Sequence, residues 1–177
     1  MFKNEIENFK KLNEMQDIIL KACEIIQKAL LNGNKILLCG NGGSASDCNH
    51  IAAEFVSRFQ KERISLPAIS LSANNSIITA IANDYSFDDV FSRQIEGLGK
   101  KDDILIAIST SGKSKNIIKA IEQAKKQGLK VIFLTGENKT SIDVELEINA
   151  PSYITAQIQE MHIAIYHKIC EIIEENY

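Results

Sequence analysis

The sequence contains no tryptophan, only two prolines among its 177 residues, and no run of basic residues. Its formal net charge is −3, so it lacks the strongly positive face that is typical of nucleic-acid-binding proteins. No apolar stretch approaches the roughly 20 residues of a membrane-spanning helix, and the first residues lack the apolar run of a signal peptide. With 45% hydrophobic residues, the chain is expected to fold as one soluble cytoplasmic domain, residues 1–177.

Cysteine is also scarce and is not arranged for chemistry. The four cysteines, Cys23, Cys39, Cys48 and Cys170, do not show the close, paired spacing of a metal site. Each one lies in an apolar or helical stretch of the sequence. We therefore expect buried free thiols, as is usual in the reducing cytoplasm.

The N-terminal segment contains neither glycine nor proline between Phe2 and Leu31, and apolar residues recur there at steps of three and four. This spacing predicts a long amphipathic helix that ends at Asn32–Asn34, with one break near Asn13. An unbroken helix would extend ~45 Å at 1.5 Å per residue, longer than a domain of this size is wide. Because its overhanging apolar stripe needs a cover, residues 1–32 are predicted to be an oligomerisation segment.

Beyond Gly33, short apolar runs alternate with helix-like stretches. This order predicts right-handed crossover connections and a parallel sheet with helices on both faces. The runs ILLC, ILIAI and VIFL are apolar throughout, as expected of strands that are covered on both sides. The predicted strands are Lys35–Cys39, Pro67–Leu71, Asp103–Ile108, Lys130–Leu134 and Leu146–Ile148, and the predicted helices are Ser44–Phe59, Asn75–Ala82, Phe87–Leu98, Ser114–Gln127 and Ala156–Glu175.

A glycine-rich turn follows the first predicted strand in ILLCGNGGSAS, residues 36–46. Such a turn at a helix N-terminus directs backbone N–H groups at an anion. Residues 40–45 formally match the dinucleotide-binding pattern G-x-G-x-x-G/A. The second strand, however, ends in Leu71–Asn75 without the carboxylate that would bind a ribose. Dinucleotide binding is therefore the weaker interpretation.

A second turn, Ser109–Ser114, also joins a buried strand to a helix. It ends in GKS like a nucleotide-binding P-loop, but Ala107 occupies the position of the leading glycine, so the loop is too short to enclose a triphosphate. Helix capping would account for one hydroxyl residue, whereas this turn has four. Hydroxyl groups combined with a helix dipole predict a site for a single phosphate monoester. The four are Ser109, Thr110, Ser111 and Ser114.

Four blocks of the sequence carry a resemblance to a known family: CGNGGSASDCNHIAAEF, ANDYSFDDVFSRQIEGLG, ISTSGKSKNIIKAI and IQEMHIAIYHKICEIIE. They resemble the phosphoheptose isomerases, a branch of the sugar-isomerase (SIS) domain family, over nearly the whole chain. The resemblance implies a flavodoxin-like α/β fold with a five-stranded parallel sheet, in a homotetramer whose active sites lie at subunit interfaces. It also implies conversion of sedoheptulose 7-phosphate to D-glycero-D-manno-heptose 7-phosphate, the first step toward the nucleotide-activated heptoses of bacterial surface polysaccharide.

The resemblance also assigns roles to individual residues. Glu54 and His167 match the family's acid/base pair, which moves a proton between C1 and C2 of the sugar through an enediol. Together with His50 and Gln159, they match the positions that hold one zinc ion per subunit in some members. The residues that match the family's substrate contacts are Asn41, Gly42, Gly43, Glu54, Asn83, Asp84, Ser109, Thr110, Ser111, Ser114 and Gln159, of which Asn83 and Asp84 are expected in a loop between helices.

Alternatives to these roles remain open from the residues alone. His50 and Glu54 lie four positions apart on one helix face and could be an ordinary surface pair. Gln159 and His167 lie ~12 Å apart along a helix, so they reach one metal ion only if their side chains extend toward each other or come from different subunits. His162 lies on a different side of its helix from His167 and is expected in the core or in an interface.

Three departures from the family pattern concern the substrate rather than the acid/base pair. Asn74-Asn75-Ser76 replaces the usual Asp-Thr-Ser, Gln157 replaces an arginine, and the segment 137–150 is short. They leave open a different heptulose phosphate as substrate. A second class of function also stays open, because SIS domains serve as sugar-phosphate sensors or protein-binding modules. Such modules need the phosphate loop but not the base or the metal ligands, whose joint presence here favours catalysis.

Overall fold

The structure is a computed structural model that describes residues 1–137 and 139–177. Its strands are β1 (Ile36–Gly40), β2 (Ala68–Ser70), β3 (Ile104–Ile108), β4 (Lys130–Thr135) and β5 (Leu146–Asn149). Its α-helices are α1 (Lys3–Asn13), α2 (Gln16–Leu31), α3 (Gly43–Val56), α4 (Asn75–Asp84), α5 (Ser92–Leu98), α6 (Lys115–Lys126) and α7 (Thr155–Glu174). The strands form one parallel sheet in the order β2-β1-β3-β4-β5, which is the flavodoxin-like order and confirms the expected fold.

Helices cover both faces of this sheet. Successive side chains of a strand point to opposite faces, so Leu38 of β1 packs beneath α1, α2, α3 and α7, whereas Leu37 packs beneath α4, α5 and α6. Every residue of β1 and of β3 is buried. This double cover explains why the central strands carry no polar side chains.

The N-terminal segment forms two helices separated by Glu14 and Met15, which confirms the predicted break near Asn13. α2 packs into the core along one side. Leu12 is the buried residue of α1, whereas Ile6 and Phe9 are 58% and 44% exposed. α1 therefore presents apolar side chains that its own chain does not bury.

The end of α3 differs from the prediction, since the helix stops at Val56 rather than at Phe59. The cause lies outside the helix. The Arg63 guanidinium donates to the carbonyl groups of Phe55 (2.8 Å) and Glu54 (2.6 Å), which satisfies the last turn and lets the chain leave the helix.

Two further elements differ from the prediction by more than one residue. α4 continues to Asp84, so Asn83 and Asp84 end a helix and do not lie in a loop. The predicted helix Phe87–Leu98 consists of a 3₁₀ turn, Phe87–Asp89, followed by α5. The side chain of Ser86 starts this separate turn, because its Oγ accepts the N–H of the residue two positions on (3.0 Å).

The four cysteines are free and buried, as predicted. In the part of the chain that the structure describes, no helix combines the length and the apolarity needed to cross a bilayer.

Candidate active site

The two loops that the sequence marks for phosphate binding lie side by side. β1 and β3 are neighbours, with Gly40 paired to Ile108, so the loops that follow them leave the same edge of the sheet. The strand order also reverses here, because β2 lies on one side of β1 and β3 on the other. Ligands of open α/β sheets bind at such a switch point. The structure thus brings together Asn41, Gly42 and Gly43 of the first loop with Ser109, Thr110, Ser111 and Ser114 of the second.

The first loop turns at Gly42, which has a φ of 55° in the left-handed region that favours glycine. α3 begins at the next residue, Gly43, so the unpaired N–H groups of its first turn border the loop. The side-chain amide of Gln159 on α7 occupies the space that a Cβ on Gly43 would fill. A residue without a side chain is therefore what lets Gln159 approach the loop.

In the second loop the hydroxyl groups face one another. Ser109 Oγ and Ser114 Oγ lie 3.1 Å apart, and Ser114 makes no side-chain capping bond although it occupies the N-cap position of α6. Ser111 Oγ accepts the N–H of Lys113 (3.2 Å). Helix capping therefore does not account for these hydroxyls, whereas a cluster of donors at a helix N-terminus suits an anion.

An amide pair that sequence reasoning missed joins the two loops. Asn41 Nδ2 donates to Asn116 Oδ1 (2.9 Å), and Asn116 Nδ2 donates back to Asn41 Oδ1 (2.8 Å). Asn116 is buried in the first turn of α6, so the pair ties the start of one loop to the end of the other. The sequence contained one indication of this pair, because an asparagine inside a predicted helix is unfavourable on helix propensity alone.

The predicted acid/base residues belong to a second cluster, on the facing sides of α3 and α7. His50 Nε2 lies 2.9 Å from Glu54 Oε1. The rings of His50 and His167 are 5.0 Å apart between centroids and nearly perpendicular, and Phe59 covers His167 with a centroid distance of 5.3 Å. The Glu54 side chain is only 20% exposed. Glu54 is therefore the more enclosed member of the pair, since the His50 side chain is 45% exposed.

Tyr166 and Asp47 complete this histidine cluster, and sequence reasoning missed both. The Tyr166 hydroxyl lies 3.0 Å from His50 Nδ1, and both Tyr166 and Asp47 are buried. Burial raises the pKa of the Asp47 carboxyl, while His50 and Tyr166 act in the opposite direction. Burial and then the charge of Asp47 raise the pKa of Tyr166, so its hydroxyl keeps its proton. The sequence contained one indication of this contact, because Asp47 lies one helical turn before His50 and therefore on the same helix face.

His167 is the residue of this cluster that remains free to act on a ligand. Burial is the main cause that lowers the pKa of His167, and His50 adds to it, while Glu54 opposes it. The ring is therefore neutral at pH 7, and a neutral imidazole has one donor and one acceptor nitrogen. Within residues 1–137 and 139–177, His167 Nε2 is buried without a hydrogen-bond partner.

The loops and the histidine cluster lie at different heights along α3. Gln159 meets Gly43 at the start of α3, and seven residues further along both helices Tyr166 meets His50. The two helices thus run side by side in the same direction. Glu54 follows Gly43 by eleven residues, or about 16 Å at 1.5 Å per residue. In one chain, Glu54 therefore lies far from the phosphate loops.

The zinc ligands implied by the family are separated in the same way. Gln159 lies at the first loop, about 12 Å of helix rise from His167, whereas His50 contacts both Glu54 and His167. In the described ranges, no three His, Cys, Asp or Glu side chains converge as a metal-binding group. The set of four is thus divided between two places in one chain.

Asn83 and Asp84 are hydrogen-bonded to each other. Asn83 Nδ2 donates to Asp84 Oδ1 (2.8 Å) at the exposed end of α4. Among the residues described by the structure, no hydrogen bond joins either side chain to the phosphate loops. Their assignment as substrate contacts therefore gains no support from the single chain.

His162 lies in the core, as expected. It is fully buried, and its Nε2–H donates to the carbonyl of Thr135 (3.0 Å). Burial lowers its pKa to about 4, although the bond to Thr135 raises it slightly. It takes no part in the histidine cluster.

Comparison with known proteins identifies the family. A family model for the SIS domain matches residues 2–136. A phosphoheptose isomerase from Nitratiruptor is 52% identical over 174 residues, covering 97% of this chain and 93% of that protein. The chain belongs to the phosphoheptose isomerase family. Solved phosphoheptose isomerase structures agree: that from Neisseria gonorrhoeae has a TM-score of 0.90 at 38% identity, with 98% and 95% of the two chains covered, and that from Francisella tularensis has 0.92 at 37%, with 98% and 94% covered.

The departures from the phosphoheptose isomerase pattern have local explanations. Asn74 is the N-cap of α4 and its Oδ1 accepts the N–H of Ile77 (3.1 Å), a task that aspartate performs equally well. Gln157 Oε1 accepts from Asn8 (2.9 Å) and Ser152 (2.8 Å), so its side chain ties α7 to α1 instead of offering a cation. The short segment 137–150 includes residue 138, which lies outside the described residues.

Proposed function

We propose that this chain is an aldose–ketose isomerase that converts sedoheptulose 7-phosphate to D-glycero-D-manno-heptose 7-phosphate. The observation that carries the proposal is the Glu54–His50–His167 cluster, found in a chain about half identical to named phosphoheptose isomerases. The product enters the synthesis of nucleotide-activated heptose for lipopolysaccharide or capsule. The four free cysteines support a cytoplasmic location. The alternative is a non-catalytic sugar-phosphate sensor or protein-binding module. The similar proteins are named as isomerases, so they do not favour it.

The proton transfers follow from the chemistry of the two residues. Glu54, as a carboxylate, removes a proton from C1 of the ketose, and the C1–H electron pair forms the C1–C2 double bond of an enediol. Glu54 then returns a proton to C2. Neutral His167 gives a proton to the C2 oxygen and takes one from the C1 hydroxyl, which leaves an aldehyde at C1. After the reaction Glu54 is again a carboxylate and His167 is again a neutral imidazole.

The hydroxyl loop binds the phosphate in this proposal. Ser109, Thr110, Ser111 and Ser114 donate to its oxygens, and the N-terminus of α6 supplies backbone N–H groups and the positive end of its dipole. Asn41, Gly42, Gly43 and Gln159 border the sugar from the first loop, and Asn83 and Asp84 act on sugar hydroxyls.

The length of the substrate supports an active site built from two copies of the chain. From C1 to phosphorus, an extended seven-carbon sugar phosphate spans about 10 Å at bond lengths of about 1.5 Å. Glu54 lies about 16 Å along α3 from the first loop of its own chain. The phosphate loops of one subunit therefore work with Glu54 of another, in a homotetramer with active sites at subunit interfaces.

The N-terminal helices support this assembly. Ile6 and Phe9 of α1 and Leu20 of α2 are exposed at 58%, 44% and 46%. Phe9 and Leu20 line an open apolar pocket beside α7. Within the single domain 1–177, residues 1–32 are therefore the oligomerisation segment. Light scattering should give the mass of a tetramer, and a folded monomer at micromolar concentration would contradict the shared site.

Subunit mixing provides the sharper experiment. Ser111→Ala damages the phosphate loop and Glu54→Gln damages the base, so either homo-oligomer should turn over little sugar phosphate at low concentration. Co-expressed, the two variants form mixed oligomers in which an intact loop can face an intact Glu54. Activity should reappear in these oligomers. If mixtures stay as inactive as their parents, each active site lies within one chain.

One zinc ion per subunit is part of the proposal. His50, Glu54 and His167 of one subunit, with Gln159 of a second subunit, offer nitrogen and oxygen donors that suit zinc, and the unpartnered His167 Nε2 supports its presence. When bound, zinc would polarise the sugar carbonyl. Dialysis against a chelator should then lower kcat, and added zinc should restore it. Full activity in protein shown to be metal-free would remove zinc from the account.

A further inference from the structure

Gly136 holds the second phosphate loop, Ser109–Ser114, from behind. It is buried directly after β4, and its N–H donates to the carbonyl of Thr110 (3.2 Å). The N–H of Ser109 donates in turn to the carbonyl of Leu134 on β4 (3.0 Å). The first half of the loop is therefore bonded to the end of β4 at two successive residues.

The bond from Gly136 fixes the direction of the next N–H group in the loop. The peptide between Thr110 and Ser111 is trans and planar, so its N–H points opposite to its carbonyl. The carbonyl points to β4, which lies on one side of β3, whereas β1 lies on the other side. The N–H of Ser111 is therefore directed to the side on which the first loop follows β1. In the described part of the chain it makes no hydrogen bond, and Ser111 is exposed.

An exposed N–H group that lies among hydroxyls at a helix N-terminus suits a phosphate oxygen. We propose that Gly136 is a positioning residue, which holds the Thr110 carbonyl so that the Ser111 N–H is directed at the phosphate of the substrate. This role rests on the proposed function, in which the loop binds that phosphate. The backbone bond from Ser111 adds to the bond from its hydroxyl group.

The surroundings of residue 136 explain why this role needs a glycine. A Cβ there would lie 2.9 Å from the Thr110 oxygen and 3.1 Å from the Ser152 oxygen. It would also lie 2.5 Å from Cδ1 of Ile158, but this end of a side chain can rotate away. The Ser152 carbonyl is held by the N–H of Glu137 (3.0 Å), so the Thr110 carbonyl has to move. An alanine at residue 136 would therefore turn the peptide that follows Thr110.

The test replaces Gly136 with Ala and measures turnover of sedoheptulose 7-phosphate. Gly97→Ala is the matched control, because a Cβ on Gly97 would meet none of the described residues within 4 Å. KM should rise about tenfold to a hundredfold in Gly136→Ala, since a hydrogen bond to a charged group contributes about that factor, while kcat changes little. A loss of folded protein would instead lower kcat and leave KM unchanged. A wild-type KM in folded Gly136→Ala would overturn the proposal.

Titration with inorganic phosphate gives a second readout that needs no turnover. In nitrogen-15 spectra of the wild type and of Gly97→Ala, the amide proton of Ser111 should move downfield as phosphate binds. In Gly136→Ala the same movement should need at least about tenfold more phosphate. Should this variant not fold, the wild type decides, because a Ser111 amide that stays in place while phosphate is added would overturn the proposal. A wild type that shows these spectra but does not turn over the sugar would defeat the isomerase function and leave the role of Gly136 standing.

Discussion

Mild acid should destabilise this protein through His162, a residue that has no part in the proposed chemistry. Its ring is fully buried, and its Nε2–H is bonded to the Thr135 carbonyl. Burial lowers its pKa to about 4 from an ordinary value of 6.5. Because the ring binds a proton more readily in the unfolded chain, protonation favours unfolding. Stability should therefore fall as the pH drops below about 6.5 and level off below about 4.

The size of the effect follows from these two pKa values. The gap between about 4 and 6.5 corresponds to about 3 kcal/mol of unfolding free energy, at about 1.4 kcal/mol per pH unit. By pH 5, about 2 kcal/mol of it should be lost. His167, whose pKa is also lowered, acts in the same direction, and so do carboxyl groups at lower pH. The effect of His162 must therefore be separated from theirs.

A paired measurement of the free energy of unfolding makes this separation. Urea unfolding of the wild type and of His162→Gln, at pH 7 and pH 5 and at one protein concentration, gives four values. Glutamine keeps an N–H donor for Thr135 but does not titrate. The wild type should lose about 2 kcal/mol more than the variant between the two pH values. Equal losses would refute the argument that a buried neutral His162 sets this part of the pH dependence.

Two further substitutions test the phosphate loop and the end of α3. Ser111→Ala should raise KM about tenfold or more, because hydrogen bonds to charged groups contribute about 1.5–3 kcal/mol. The control is Ser65→Ala, at an exposed position away from the loop. An unchanged KM for Ser111→Ala would show that this loop does not bind the phosphate. Glu174→Gln should lower the free energy of unfolding by about 3 kcal/mol, because the buried carboxylate accepts three backbone N–H groups of residues 59–61 and faces Arg63. The exposed neighbour Glu175→Gln should change the urea midpoint little, and equal midpoints for the two variants would contradict this role.

The fold could be predicted from the sequence because its central strands are buried on both faces. Runs such as ILIAI are typical of parallel strands that are covered on both faces. The predicted helix ends are wrong where residues outside the helix determine where it stops. α3 ends early because Arg63 takes its last carbonyl groups, and no local pattern before residue 57 contains that information. α4 extends to Asp84, although the sequence around Asn83 and Asp84 resembles the end of a helix and both residues were expected in a loop.

The same distinction holds for the candidate site, where contacts close in sequence could be predicted and contacts between distant segments could not. The serine loop could be predicted because its hydroxyls are adjacent in sequence, and the His50–Glu54 pair because helix geometry brings residues four apart together. Asn116 and Tyr166 act on partners 75 and 116 positions away. Such contacts depend on how strands and helices are arranged in space, so composition and spacing do not reveal them.

The most direct test of the account is solvent exchange during turnover. Purified protein is incubated with sedoheptulose 7-phosphate in deuterated water, and the aldose phosphate is examined for deuterium at C2. An enediol route with Glu54 as the base predicts deuterium at C2, and Glu54→Gln should lose turnover and exchange together, with kcat lower by about 10²–10⁴-fold. Full activity of Glu54→Gln would contradict the account.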